Sequence, residues 1–492
     1  MLVKYFIAIL FVFLVFDIRA QHHLLTLEHS IELAQEQSLD AFRARYMFRV
    51  KQLDYKDFQT YLLPNVSLNL TPVSYNRSIV EVYNSTTKRY ESVEVQRLNS
   101  NYSVGIDQKL GFTNGSLSIS SNLSRNEQYG NNSYLNYVST PLSIGYSQQL
   151  FGVNNYRWRS KIEPLKFAQA QLVFIESQEK IALQTIQLFF NVLSAQTNLH
   201  IAELNQVNAD SLLAIGEKRQ LLGSISRDDL LNLKLKQVNA AIALDQNRNK
   251  LKDTKRDFCE FLEIPYNPNI TCDIPNSVLL DFISPDLAQK KAQQNNPQIQ
   301  DLERKLLEVE QQLVQAKKSR FRMNMNLGFG FNQNKSKLND AFSDLLNRQN
   351  ANVSLSIPLL DWKTNRRNIT RAQIRKELVE KENEKSNRQV EIMISKNTDA
   401  FNLRQKEVQT AAIADTIAQS AYEATQQRFV LGKVNVIDIN EAYKALYAAK
   451  NGYINALLKY WTAYYTMRKL CLYDFRDQKD LKLSITHKLE ID

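Results

Sequence analysis

Two periodicities divide the chain. Between about residues 65 and 152, and again between 322 and 360, apolar and polar positions alternate. Asn65-Val66-Ser67-Leu68-Asn69-Leu70 is one such run, and Met323-Asn324-Met325-Asn326-Leu327-Gly328-Phe329-Gly330-Phe331 is the clearest. Tyr102/Val104/Ile106, Leu117/Ile119, Leu142/Ile144/Tyr146 and Val353/Leu355/Ile357 repeat it. Successive side chains of a strand point to opposite sides, so the alternation predicts strands with one apolar and one polar face. In the first half, strands are expected near 65–71, 101–110, 115–124 and 140–150. The polar face is Ser, Asn, Gly and Gln, with few charges. It suits the wet interior of a membrane barrel and, equally, the solvent side of a soluble antiparallel sheet.

The remaining segments carry helical spacing. In Leu165–His200, apolar residues at 165, 168, 172, 175, 182, 186, 189 and 193 follow the 3-4 rhythm of a coiled-coil seam, broken by Glu179, Gln196 and His200. Helices over Asn155–Leu222 and Asn365–Leu431 would each extend about 100 Å at 1.5 Å per residue. Pro164 either kinks the first or marks its start. Helix breakers are scarce: 12 Gly and 10 Pro in 492 residues. Eight of the glycines fall in the alternating regions, and Pro265, Pro268, Pro275 and Pro285 fall in one linker.

The order repeats. A shift of 209 residues pairs Gln149-Leu150-Phe151 with Pro358-Leu359-Leu360, Arg219-Gln220-Leu221-Leu222-Gly223 with Arg428-Phe429-Val430-Leu431-Gly432, and Asp229 with Asp438. Upstream, a shift of 257 pairs Val66/Leu68/Leu70 with Met323/Met325/Leu327, so the first half holds 48 more residues between its outermost strands. Each half reads helix, strands, very long helix, Gly turn, return helix. The expected domains are a first repeat at 21–264, a linker at 265–285, a second repeat at 286–473 and a tail at 474–492, with helical hairpins at about 155–264 and 362–473. The expected fold class is mainly α, with duplicated long helices of coiled-coil spacing joined to a β domain; the resemblance described below implies that this domain is a membrane β-barrel shared within a trimer.

Composition narrows the setting. Met1–Ala20 has Lys4 at its start, a 12-residue apolar run at Tyr5–Phe16 and a small residue at the cut, as in a secretory signal peptide. The chain has 62 basic and 51 acidic residues; without Lys4, Asp17 and Arg19 the balance is 60 to 50, or +10. Dispersed over an exported protein, this charge reads as a solvated face, not a nucleic-acid surface. No later segment has 18 apolar residues in a row, so entry into a membrane would require a barrel. Three cysteines cannot build a disulfide scaffold; Cys259, Cys272 and Cys471 read as buried free thiols, with a Cys259–Cys272 bridge the alternative. The five histidines show no ligand spacing, and no nucleophile–base set, P-loop or dinucleotide fingerprint is present. No metal, cofactor or enzymatic activity is expected.

Particular positions carry chemistry. Gly223 and Gly432 end the long helices. Ser226-x-x-Asp229 and Asn435-x-x-Asp438 then read as helix caps with an anion near the N-terminus. The same acids could form a ring at a pore constriction, and Glu441, one turn on, fits no cap. Phe151, Trp158 and Trp362 lie just past strand ends, where aromatics either anchor a membrane interface or pack a strand–helix joint.

The opening Leu25-Thr26-Leu27-Glu28-His29-Ser30-Ile31, the Asn296-Pro297 pair, the Gln149-Leu150-Phe151-Gly152 strand exit and, in each half, a tip Gly followed six residues later by Asp together resemble the TolC-like outer-membrane efflux proteins. The resemblance implies a homotrimer with a shared barrel in outer-membrane lipid and a helical tunnel in the periplasm. The tunnel's tips would dock a periplasmic adaptor and an inner-membrane pump, here through Arg219, Leu222, Gly223, Arg428, Leu431 and Gly432. It also implies a periplasmic gate at Asp229, Asp438 and Glu441, with Phe429 at the gate-aromatic position and Val434 where a relative can carry a basic partner. Strand arithmetic agrees. One chain offers four to six strands, an eight-stranded barrel is filled by its own side chains, and three copies give 12 or 18. The rival readings are a periplasmic coiled-coil scaffold without a pore and a secreted enzyme.

Overall fold

The computed structural model describes residues 24–130, 133–275, 282–431, 433–434 and 436–482. The expected leader, Gly432 and Asn435 lie outside this set. In chain order the elements are β1 (Leu24–Leu25), α1 (Leu27–Gln37), α2 (Leu39–Thr60), β2 (Asn65–Asn84), β3 (Arg89–Leu110), β4 (Gly115–Tyr129), β5 (Tyr134–Gln149), α3 (Asn155–Leu221) and α4 (Arg227–Phe261). The second half holds β6 (Thr271–Cys272), α5 (Pro285–Asn295), α6 (Pro297–Lys318), β7 (Arg322–Lys335), a 3-10 turn (Asn339–Phe342), β8 (Leu346–Ser356), α7 (Thr364–Val430), α8 (Val436–Cys471), β9 (Tyr473–Asp474) and β10 (Lys479–Asp480).

The duplication is exact in three helix pairs, and the return helices α4 and α8 differ by one residue, 35 against 36. α3 and α7 have 67 residues each and start 209 apart. α1 and α5 have 11 each, and α2 and α6 have 22 each. Pro164 lies within α3, which starts at Asn155, where the Asn154 side chain accepts from the Arg157 N–H at 2.9 Å. The proline therefore does not mark the helix start.

The chain forms two compact units. One comprises Lys51–Ala168 and Gln300–Lys385 and contains a six-stranded antiparallel sheet in the order β2-β3-β4-β5-β7-β8. Its register alternates as the sequence predicts. One row across all six strands is Val66, Ile106, Ile119, Ile144, Phe329 and Gln349. The adjacent row, on the other face, is Ser67, Gly105, Ser120, Ser143, Gly330 and Arg348. The apolar face is largely uncovered: Val66 is 66%, Leu68 63% and Leu355 56% exposed.

The strands outrun their expected limits, and residues 72–100, in which no strand was expected, continue β2 and β3. Two register shifts hid this. Pro72 lies in the shift between Thr71 and Ser74, and Pro141 in that between Ser139 and Leu142. A bulge is where a strand tolerates a residue with no N–H to give to the ladder. Beyond Pro72 the alternation also carries charge, and Arg77 pairs with Glu94 across the strands at 2.6 Å. Gly330 meets the second bulge: a Cβ there would lie 2.4 Å from the Leu142 carbonyl oxygen.

The other unit comprises Gln169–Ile299 with the segments before Lys51 and after Lys385. Its core joins Ile186, Phe189 and Phe190 of α3 to Phe258 of α4, Ile394 and Phe401 of α7, and Leu457, Tyr460 and Met467 of α8. The seam read in α3 is buried at Ile175, Ala182, Ile186, Phe189 and Leu193. Its polar interruptions have specific partners. Gln196 accepts from the Cys272 N–H at 2.9 Å and donates to the Cys272 carbonyl at 3.1 Å, extending the β1–β6 pairing. Asn296 caps α6 through the Gln298 N–H at 2.9 Å and donates to the Leu470 carbonyl at 3.0 Å, so the Asn-Pro pair ties a helix junction to the end of α8. All three cysteines are buried and unbridged.

Candidate functional site

Two places gather the residues singled out in the sequence: the ends of the helical hairpins and the rim of the sheet. The α3–α4 turn is closed by a Gly cap. The Gly223 N–H donates to the Gln220 carbonyl at 2.9 Å and the Ser224 N–H to the Arg219 carbonyl at 2.8 Å, with Gly223 at φ +66°. This is the Schellman arrangement, which requires the left-handed conformation that glycine adopts without steric cost. The second turn repeats one of these bonds 209 residues on, from the Lys433 N–H to the Arg428 carbonyl at 2.9 Å.

Asp229 closes a capping box. Its N–H donates to the Ser226 hydroxyl at 3.1 Å, and its carboxylate accepts from the Ser226 hydroxyl at 2.7 Å and N–H at 3.4 Å. Its geometry in the protomer is therefore that of a helix cap. Asp438 is exposed in the first turn of α8, where the helix dipole favours an anion. Glu441 was expected to be free of local duties; instead it is ion-paired with Lys444, one turn along, at 2.7 Å. The i,i+3 spacing makes the contact, and it stays exposed to water.

Phe429 is buried, at 4% exposure, in a cluster with Tyr422, Ile439 and Leu446 that also takes in Leu212, Ile215, Val434 and Tyr443. The Arg219 guanidinium lies 5.8 Å from its ring centroid. Within the protomer the ring packs one hairpin against the other and does not face open water. By contrast Leu221, Leu222, Leu431 and Ile437 are exposed apolar residues at the tips, and Arg428 is exposed beside them. Above the tips a cavity of about 470 Å³ is lined by Asn208, Lys236, Tyr422, Glu441, Tyr443 and Lys444 among others. Burial and the neighbouring Lys444 push the Lys236 ammonium below its ordinary pKa.

At the sheet rim, Phe151 and Trp362 are exposed, Trp158 is half-buried with the Lys161 ammonium 5.8 Å from its ring, and Leu359 and Leu360 are exposed beside Trp362. Phe151 shares an apolar pocket of about 550 Å³ with Leu150, Phe321, Met323, Leu355 and Ile357, edged by Lys317 and Lys318. Sequence reading missed the aromatic knot nearby. Tyr55 stacks on Phe167 at 4.7 Å and Tyr61 on Tyr156 at 6.2 Å, while Arg159 and Lys109 lie 4.4 and 4.0 Å from the Tyr61 centroid. The density of Tyr and Phe in 55–61 was the available signal.

Also missed was a buried charge cluster. Arg468 of α8 donates to both oxygens of Glu179 at 3.0 and 2.9 Å and to Asp474 at 2.8 Å, and the Tyr464 hydroxyl donates to Asp474 at 2.6 Å. Burial lifts the Glu179 carboxyl above its ordinary pKa, with Arg468 pulling the other way. At Asp474 burial opposes ionisation, but the Tyr464 hydroxyl and Arg468 more than offset it and hold the carboxyl low.

Among the described residues no cluster of His, Cys, Asp and Glu could hold a metal, and no helix is long and apolar enough to cross a membrane. Residues 288–471 match the family described as Outer membrane efflux protein. No curated protein matches the sequence. Solved structures do. The CmeC outer membrane channel of Campylobacter jejuni aligns with TM-score 0.65 at 14% identity, over 90% of this chain and 85% of that one. The open state of the MtrE outer membrane channel of Neisseria gonorrhoeae aligns with TM-score 0.62 at 13% identity, over 93% and 89%. The outer membrane protein VceC of Vibrio cholerae aligns with TM-score 0.61 at 12% identity, over 90% and 95%.

Proposed function

We propose that this chain, which carries an outer membrane efflux protein domain on the fold of TolC-like channels, is one protomer of a homotrimeric channel-tunnel in the outer membrane, a passive exit duct for efflux or secretion. The observation that carries the reading is the sheet: six strands, one largely uncovered and mostly apolar face, and one face mostly of Ser, Asn and Gly. A soluble sheet buries its apolar face against a core, whereas a membrane barrel turns that face to lipid and encloses water with the other. Phe151, Trp158 and Trp362 then belong to the belt at the lipid–water boundary.

The helical hairpins form the periplasmic tunnel. Its tips, through exposed Leu222 and Leu431 with Arg219, Gly223, Arg428 and Gly432, dock a periplasmic adaptor that links the duct to an inner-membrane pump. Asp438 and Glu441, brought together from three copies, form an acidic constriction. Like charges in a narrow ring attract cations and repel anions. Asp229 enters that ring only by leaving its cap, and Phe429 supports the tip from within. The energy for transport comes from the pump.

Recovery from outer-membrane detergent extracts as an ion-conducting trimer is the expected result, and isolation as a water-soluble monomer overturns the reading. In planar bilayers Asp438→Ala with Glu441→Ala should raise single-channel conductance and weaken cation preference. Unchanged conductance and selectivity would remove the gate assignment alone.

A further inference from the structure

We infer that each copy contributes all six of its strands to the barrel wall, so that β2 of one copy pairs with β8 of the next and three copies close an 18-stranded barrel. The inference rests on the trimeric-channel reading and specifies the surface by which the copies join.

Among the described residues neither outer edge of the sheet has a partner strand, since β2 and β8 stand at its two ends. Backbone N–H and C=O groups left unpaired in hydrocarbon cost several kcal/mol each, so a sheet in lipid must close. Six strands cannot close alone, because eight already leave room only for their own side chains. The occupant of each edge is a second copy, for three reasons. Every neighbouring pair is antiparallel, so with an even number of strands β2 and β8 run in opposite directions, and a β8-to-β2 join continues the meander unchanged. The faces match: Val353 and Leu355 of β8 share the apolar face with Val66, Leu68 and Leu70 of β2, while Asn352 and Ser354 share the polar face with Ser67 and Asn69. The stretch of each edge nearest the helices is open to strand addition, since Asn65–Thr71 holds no charge and no proline and Leu346–Ser356 holds only Arg348, while Pro72, Arg77 and Glu81 come farther along β2. A head-to-tail contact closes into a ring when its rotation divides the circle evenly, as a threefold one does.

The alternative is a 12-stranded barrel with the β2–β3 hairpin folded away from it. The register argues against this: β3 pairs with β4 without interruption from Gln96–Tyr129 to Leu110–Gly115, and the apolar row crosses β2 and β3 as it does β4, β5 and β7. The polar row fits a wide lumen too. Five of its six residues, Ser67, Gly105, Ser120, Ser143 and Gly330, are too small to fill a barrel, and Arg348 alone is long. With diameter growing roughly linearly with strand number, 18 strands give a bore about 1.5 times that of 12.

Cysteine pairs in the full-length protein in outer-membrane vesicles test this. Asn69→Cys is combined in turn with Asn350→Cys, Asn352→Cys and Ser354→Cys, and Ser120→Cys with the same three. After mild oxidation, at least one Asn69 pair should convert most of the protein into covalent trimers under denaturing, non-reducing conditions, while the Ser120 pairs and single variants stay monomeric. Cross-linking of Ser120 pairs instead, or of none in a preparation that remains trimeric under native conditions, overturns the six-strand wall and leaves the channel reading intact. Absence of any trimer in the vesicles overturns both.

Discussion

The two repeats differ in an instructive way. Their helices agree in length to within one residue, 67 against 67 in α3 and α7 and 35 against 36 in α4 and α8, whereas their strands number four against two. Helices that pack along a shared seam cannot change length singly, because every later contact would slip out of register. A meander is more tolerant. An added up-and-down hairpin returns the chain to the same end of the sheet pointing the same way, so the 48 extra residues leave the following helix undisturbed. The repeats diverge again in charge. Arg468 in α8 corresponds by the 209-residue shift to Cys259 in α4, and Glu179 in α3 to exposed Arg388 in α7. The buried ion cluster therefore exists on one side of the pseudo-symmetry only.

That asymmetry makes the largest prediction. Arg468→Met strands Glu179 and Asp474 in a buried site, and breaking such a cluster should cost about 3–5 kcal/mol, read as a fall in the denaturant midpoint of detergent-solubilised protein. Cys259→Ser, at the corresponding place, should cost much less. Acidity separates the carboxylates further. Asp474, held low, contributes stability that is present above the ordinary carboxylate range and lost as pH falls through its lowered value. Glu179, raised by burial, works in the opposite sense and favours the fold as pH drops. Asp474→Asn should therefore flatten the acid-side loss of stability, and an unchanged pH profile would count against this division of roles.

Smaller effects probe the tips. Gly223→Val forces a β-branched residue to φ +66° and should cost about 1–2 kcal/mol by thermal unfolding. Ser226→Ala removes the hydroxyl that accepts from the Asp229 N–H, leaves the Ser226 N–H bond to the Asp229 carboxylate, and should cost about 1 kcal/mol. Lys444→Ala breaks an exposed pair and should shift stability by less than about 0.5 kcal/mol; a larger loss would mean that Glu441 has a structural duty like that of Asp229.

How much of this was legible in the sequence follows from how local each signal is. Long helices, Gly turns and the 209-residue offset depend on periodicity and breakers within a few residues of one another, and α3, α7 and the Arg219–Ser224 cap appear where they were read. In β2 the apolar face was legible up to Thr71 and invisible from there to the start of the run read in β3, because Pro72 shifts the register and Arg77 and Glu94 compensate each other only once paired. Glu179 resembled a flaw in a seam because its partner lies 289 residues away. Phe429 was placed by analogy of position, which carries no information about packing; its burial comes from Leu212 and Ile215, contributed by the other repeat. Glu441 fits no cap in the sequence, and its ion pair depends on the i,i+3 neighbour Lys444.

The outer ends of β2 and β3 stand apart from everything else in the sheet. Pairing with β4 stops at Gln96, so Arg89–Val95 hold only to β2, and the ribbon ends in the turn of Ser85, Thr86, Thr87 and Lys88. Seven residues of strand reach about 24 Å past the last row that β4 shares. No other strand pairs with this finger, so a short insertion in its turn should leave the remaining strand pairings of the sheet in place.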